Sequence, residues 1–103
     1  MYRLNAFLCI MKELIEEICN VLGVSVEEAM SRKRSKQLDS ARNFIFYIAH
    51  CNFGYSVGEL SRMFGRTRRA VFNSIAKTRI WLQYIKETKA TYNLIITTIN
   101  QKG

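Results

Sequence analysis

A chain of 103 residues in which Lys and Arg outnumber Asp and Glu sixteen to eight carries a formal charge of +8, and 49% of it is hydrophobic. That length holds one domain and not two, and so large an apolar share excludes a disordered chain. With no proline, five glycines and no lasting apolar/polar alternation, the composition argues against a β fold and predicts one all-α domain over residues 1–103.

The first predicted element is an amphipathic helix. Leu4, Leu8, Met11, Leu14, Ile15, Ile18, Cys19 and Leu22 recur every three or four residues, and Gly23 ends the stripe. Its apolar opening, Leu4 to Met11, is too short to span a bilayer and runs directly into Lys12, Glu13, Glu16 and Glu17, so neither a secretory nor a transmembrane segment is expected. Ser25-Val-Glu-Glu28 reads as a capping box that opens a short helix to about Met30. A basic loop, Ser31 to Lys36, comes next. Asp39 or Ser40 is the expected cap of the third helix, whose apolar run from Phe44 to Ile48 predicts burial on most sides. That helix should stop near Asn52 to Gly54. A second capping box, Ser56-Val-Gly-Glu59, opens a short helix ending at Phe64-Gly65. Thr67 can cap a longer helix to about Ile85, and a last one is expected from about Thr88 to Asn100, with Tyr92, Ile95, Ile96 and Ile99 facing inward. About six helices around one core are predicted.

Charge is unevenly spread along these elements. Met1–Met30 is net −3, residues 31–79 are net +9, and the remainder adds +2. A basic middle between less basic ends is the footprint of a polyanion-binding segment. The same stretch holds a helix-turn-helix pattern over about residues 56–80. Val57, Leu60 and Phe64 supply the inward face of its first helix, Ser61 is the small residue for a close crossing, and Gly65 suits the turn. Val71, Ile75 and Leu82 form the inward stripe of the second helix. Its outward N-terminal face then presents Arg66, Thr67, Arg68, Arg69, Asn73 and Lys77. Arginine can grip guanine O6 and N7 with two bonds, and asparagine can do the same for adenine N6 and N7.

Two short helices, a basic Ser-Arg-Lys-Arg-Ser loop, a buried helix and Ser-Val-Gly-Glu-Leu-Ser-Arg-Met-Phe-Gly-Arg ahead of a long helix together resemble the C-terminal DNA-binding domain of the bacterial replication initiator DnaA. The resemblance covers about Leu14 to Gly103. It implies an all-α, Trp-repressor-like fold and binding of double-stranded DNA. It also implies a minor-groove role for Arg34, a phosphate contact for Arg42 and a place at the start of the recognition segment for Arg66. The family usually continues with Asp-His-Ser/Thr-Thr, where this chain has Thr67-Arg68-Arg69-Ala70, and a proline usual before the basic residue of the buried helix is Ala41 here. No Gly-rich loop ending in Gly-Lys-Ser/Thr is present, so the initiator's ATPase module is not expected and the chain reads as a free-standing domain.

Other chemistry finds little support. His50 and Cys51 are neighbours on one helix and point apart, and Cys9 and Cys19 offer no zinc-like spacing. Three widely spaced cysteines fit reduced thiols in the cytoplasm rather than a disulfide framework. Converging carboxylates for two-metal chemistry are missing from the basic segment, and Trp81, Tyr84 and Tyr92 read as core and rim. No enzyme activity, metal or cofactor is therefore expected. The predicted interface has Arg66, Thr67, Arg68, Arg69 and Asn73 in the major groove and Arg34 in the minor groove. Arg32 belongs to the same basic loop, and Lys33, Lys36, Arg42 and Lys77 are assigned to phosphates. The role is replication-related or regulatory, the alternatives being a transcription regulator or mobile-element accessory protein, or an adaptor that docks a protein through its acidic first helix.

Overall fold

The computed structural model describes the backbone of residues 2–102 and the side chains of residues 11–100. Among them are six helices and no strand: α1 (Tyr2–Leu22), α2 (Val26–Met30), α3 (Lys36–Phe53), α4 (Val57–Phe64), α5 (Arg68–Tyr84) and α6 (Lys86–Lys102). Leu4 and Leu8 of the predicted first stripe lie outside the residues with described side chains. From Met11 to Cys19 that stripe is buried, with Leu14, Ile18 and Cys19 inaccessible to solvent, and Leu22 at its end is half-buried.

Helix α3 is the centre of the fold, packed against α1, α2 and α5. Ala41, Ile45, Ile48 and Ala49 are fully buried along it, and Phe44 and Phe46 nearly so, as its apolar run predicts. Ring contacts tie it to two further helices. Phe46 meets Phe64 of α4 edge-on at 5.0 Å, and Tyr47 meets Tyr92 of α6 edge-on at 5.9 Å. Helix α6 closes the core from α1 and α5 through the buried Ile95.

Caps set most boundaries. Ser56 and Glu59 form the reciprocal capping box, Ser56 Oγ accepting from Glu59 N at 3.0 Å and Glu59 Oε1 accepting from Ser56 N at 3.0 Å. Thr67 caps α5 by accepting from Ala70 N. At Ser25 only half of the expected box forms. Its hydroxyl accepts from Glu28 N but also donates to the Glu28 carboxylate, which takes Lys33 as well.

Two boundaries differ from expectation. Helix α3 starts at Lys36 and is capped by Ser35, whose hydroxyl accepts from Leu38 N at 3.1 Å, and not by Asp39 or Ser40. The earlier start brings Leu38 into the core, only 3% exposed, and that burial decides the matter. Lys36 is consequently a first-turn residue of α3 rather than part of the loop. Helix α6 begins at Lys86, two residues before the expected Thr88, because the backbone bends at Ile85 without glycine or proline to mark the break.

Candidate nucleic-acid interface

The turn between α4 and α5 is built from three consecutive demands. Gly65 adopts a left-handed backbone, φ 63°, which a Cβ would strain. Arg66 then turns back so that its N–H donates to the Ser61 carbonyl at 3.0 Å, while Ser61 Oγ donates to the Arg66 carbonyl. Ser61 therefore clasps the backbone of Arg66 from both sides, which only a small hydroxyl residue could do at this crossing. The turn leaves Leu60 and Val71 fully buried between the helices, while Arg68, Arg69, Ala70 and Asn73 of α5 stay open to solvent.

Beside the turn lies a groove of about 230 Å³ lined by residues from the loop, α3 and α5. Arg34 enters it from the loop, Arg66 from the turn, and Ala70, Asn73 and Lys77 from successive turns of α5. Asn43 and Ser74, both nearly buried, join beneath them by a hydrogen bond from Ser74 Oγ to Asn43 Oδ1. Ser74 is also held from its own helix, since Thr78 Oγ1 donates to the Ser74 carbonyl at 2.8 Å. The pair locks α5 onto α3 and so fixes where the outward face of α5 points.

Arg42 has a different place from the other basic residues. It is 5% exposed, and all of its guanidinium nitrogens are engaged within the protein. Nε donates to the Ala29 carbonyl at 2.9 Å, and Nη2 reaches the carbonyls of Glu28, Ser31 and Lys33 at 3.1, 2.8 and 2.6 Å. Nη1 meets Asp39 Oδ1 at 3.3 Å. The side chain thus gathers the last carbonyls of α2 and the start of the basic loop on one planar cation. Burial, and then the nearby Arg66 and Arg34 guanidiniums, push Arg42 below its usual pKa. Arg34, Arg42 and Arg66 all line the groove, so three guanidiniums meet there.

Of the remaining predicted residues, Arg32, Lys33, Lys36, Thr67, Arg68 and Arg69 do not line the groove. Arg32 and Lys36 are exposed, and Lys33 pairs with Glu28 at 3.2 Å on the surface. Thr67 is occupied as the α5 cap. Arg68 and Arg69 are exposed on the first turn of α5. The Arg68 guanidinium folds back over α4 at Gly58, where a Cβ would meet Nη2 at 3.3 Å. Lys77 stands over the Trp81 ring, 5.1 Å from its centroid. Sequence reasoning passed over two groups. Asn43 and Ser74 are separated by thirty-one positions with no local signal, and Phe72 of α5 is 61% exposed despite its apolar ring.

Among the described residues, no group of three or more His, Cys, Asp and Glu could hold a metal ion, and no helix is long and apolar enough to cross a membrane. His50 Nδ1 lies 2.7 Å from the Tyr55 carbonyl, and Cys51 Sγ lies 3.9 Å from Arg79 Nη2.

Comparison with known proteins agrees with this architecture. The family model described as the bacterial dnaA protein helix-turn-helix matches residues 11–78. The chromosomal replication initiator protein DnaA of Pseudothermotoga lettingae is 35% identical over 66 residues, 64% of this chain and 15% of that protein. DnaA of Oleidesulfovibrio alaskensis is 32% identical over 63 residues, 61% of this chain and 14% of its own length. DnaA of Thermotoga petrophila is 29% identical over 92 residues, 88% of this chain and 21% of its own. The chain thus spans about a fifth or less of the relatives it matches. With two-thirds of its length matched, including α4 and most of α5, it belongs to the family of the bacterial dnaA protein helix-turn-helix.

Proposed function

We propose that this protein is a sequence-selective binder of double-stranded DNA that acts as one helical domain over residues 1–103, without catalysis, in a replication-related or regulatory role. The observation that carries the reading is the convergence of Arg34, Arg66, Asn73 and Lys77 on one groove from three separate elements. Membership in a DNA-binding helix-turn-helix family supports the same partner. In this reading the first turns of α5 lie in the major groove, with Arg66, Asn73 and one of Arg68 and Arg69 near base edges. Arg34 enters the adjacent minor groove, and Arg32, Lys33, Lys36 and Lys77 neutralise phosphates. Thr67 keeps the helix start in register, and Arg42 acts indirectly by holding the loop that presents Arg34.

Thr67-Arg68-Arg69-Ala70 replaces the family's usual acidic and histidine pair, which removes an acceptor suited to cytosine and adds donors suited to guanine. The chain should therefore bind the usual DnaA box no better than about tenfold over random duplex and prefer a guanine-containing site. Selection of bound sequences from a random duplex pool tests both statements. With roughly five to eight phosphate contacts, affinity should fall with a log–log salt slope of about −4 to −7. Arg68→Ala and Arg69→Ala, assayed on the selected site, separate their roles. Loss of a base contact relaxes preference at one position at a cost of about 1–3 kcal/mol, and loss of a phosphate contact weakens all sequences alike. A slope near zero, or tight and selective binding of the usual box, would overturn this reading.

A further inference from the structure

Lys77 lines the groove one turn beyond Asn73 and Ser74, and its ammonium stands 5.1 Å from the centroid of the Trp81 ring. Trp81 is the single tryptophan of the chain and sits half-buried in the last turn of α5. Ala70, Ser74, Lys77 and Trp81 are spaced by three or four positions and form one row along the helix, the first three on the groove wall and the ring at its end. Helical side chains lean toward the N-terminus, so the Trp81 ring reaches back over the turn that carries Lys77. No carboxylate of its own helix competes for the ammonium, because α5 contains neither Asp nor Glu. Asp39, the acidic residue on the groove, meets Arg42.

A lysine carries its charge on a flexible four-carbon stem, and ordering that stem against a phosphate costs affinity unless its freedom is already limited. A carboxylate partner would limit it but would also neutralise the charge that attracts the phosphate. An aromatic face does not. It draws the cation through the ring quadrupole, leaves the charge intact and leaves ammonium N–H donors free to point away from the ring. We propose that Trp81 is a positioning residue for DNA binding, its ring holding the Lys77 ammonium on the groove wall where it meets a phosphate. This rests on the DNA-binding reading above and adds to it a residue that acts without touching a nucleotide.

The test uses the full chain and the duplex obtained by selection, with Trp81→Leu, Lys77→Met and the double variant titrated over a range of salt. Trp81→Leu should weaken binding about two- to fivefold, the worth of an exposed cation–π contact, with the salt slope unchanged because Lys77 still reaches the phosphate. Lys77→Met should reduce the slope by about 1. With Lys77 already replaced, Trp81→Leu should cost nothing further. The same cycle with Trp81→Phe, which keeps a ring that attracts the cation less, should give a smaller loss and guards against a leucine variant that packs poorly. Lys77→Met should also shift the tryptophan emission of the free protein, which comes from Trp81 alone. The positioning role is refuted, and DNA binding stands, if replacing Trp81 weakens binding equally with and without Lys77, if it tightens binding, or if the emission does not move. If no duplex is bound in a salt-dependent manner, both readings fall together.

Discussion

Arg42 Nε donates to the Ala29 carbonyl across thirteen residues at 2.9 Å, and the same guanidinium reaches three further carbonyls, two of them in the loop that carries Arg34. Its contact with Asp39 contributes little, since that carboxylate is half exposed and the pair is screened by solvent. The carbonyls matter more. They are the orphaned acceptors of a helix C-terminus and a tight loop, gathered on a cation that water does not reach.

Arg42→Ala should therefore destabilise the protein by on the order of 3 kcal/mol, and Arg42→Lys should recover only a small part, because an ammonium cannot present a planar fork to several acceptors. Thermal melting checks the stability, and amide exchange should show lost protection across residues 29–35. DNA affinity should fall most where Arg34 contributes, which a lost phosphate contact would not reproduce.

The Asn43–Ser74 pair predicts a coupling between helices. Ser74→Ala leaves the Asn43 carbonyl oxygen without its buried donor and should cost about 1–3 kcal/mol. A double-mutant cycle with Asn43→Ala should return an interaction energy of about 0.5–3 kcal/mol from denaturant titrations. The salt slope of DNA binding should stay unchanged, since no phosphate contact is lost, while affinity drops as α5 loses its fixed position on α3.

Arg34 lies at the groove edge on an exposed loop, within electrostatic reach of Arg42. Narrow A-tract minor grooves concentrate negative potential and favour an inserted arginine. Arg34→Ala should weaken binding roughly tenfold on a site with an A/T-rich flank and less than about threefold on a G/C-rich one. Equal losses in a mobility-shift titration would reduce Arg34 to a phosphate contact.

Glu59 supplies a pH dependence with a defined sign. Its backbone hydrogen bond from Ser56, then that residue's side chain, hold its carboxyl below the ordinary value of 4.5. A carboxyl depressed in the folded state stabilises fully above the unfolded pKa, and the contribution is lost as pH falls through the lower folded value. Glu59→Gln keeps an acceptor at the cap but cannot ionise. The melting temperature of wild type should exceed that of Glu59→Gln at neutral pH, and the gap should close on acidification below 4.5.

What could be read from the chain alone was whatever neighbouring residues decide among themselves. The caps at Ser56 and Thr67, the stop at Gly65 and the burial of Val71 and Ile75 all depend on positions within one or two turns. So did the cationic composition of the segment that supplies the groove. Tertiary packing decided the rest. Leu38 pulled the start of α3 back to Ser35, a choice local signals at Asp39 and Ser40 could not reveal, because the burial that rewards it comes from distant residues. Arg42 looked like one more surface cation until the α2 carbonyls closed around it from up to fourteen positions away. Phe72, one position off the Val71–Ile75–Leu82 stripe, is apolar but faces water, since the interior of α5 is already filled by Val71, Ser74, Ile75 and Thr78. Periodicity fixes which residues share a face, whereas the direction of that face depends on which partner helix arrives to cover it.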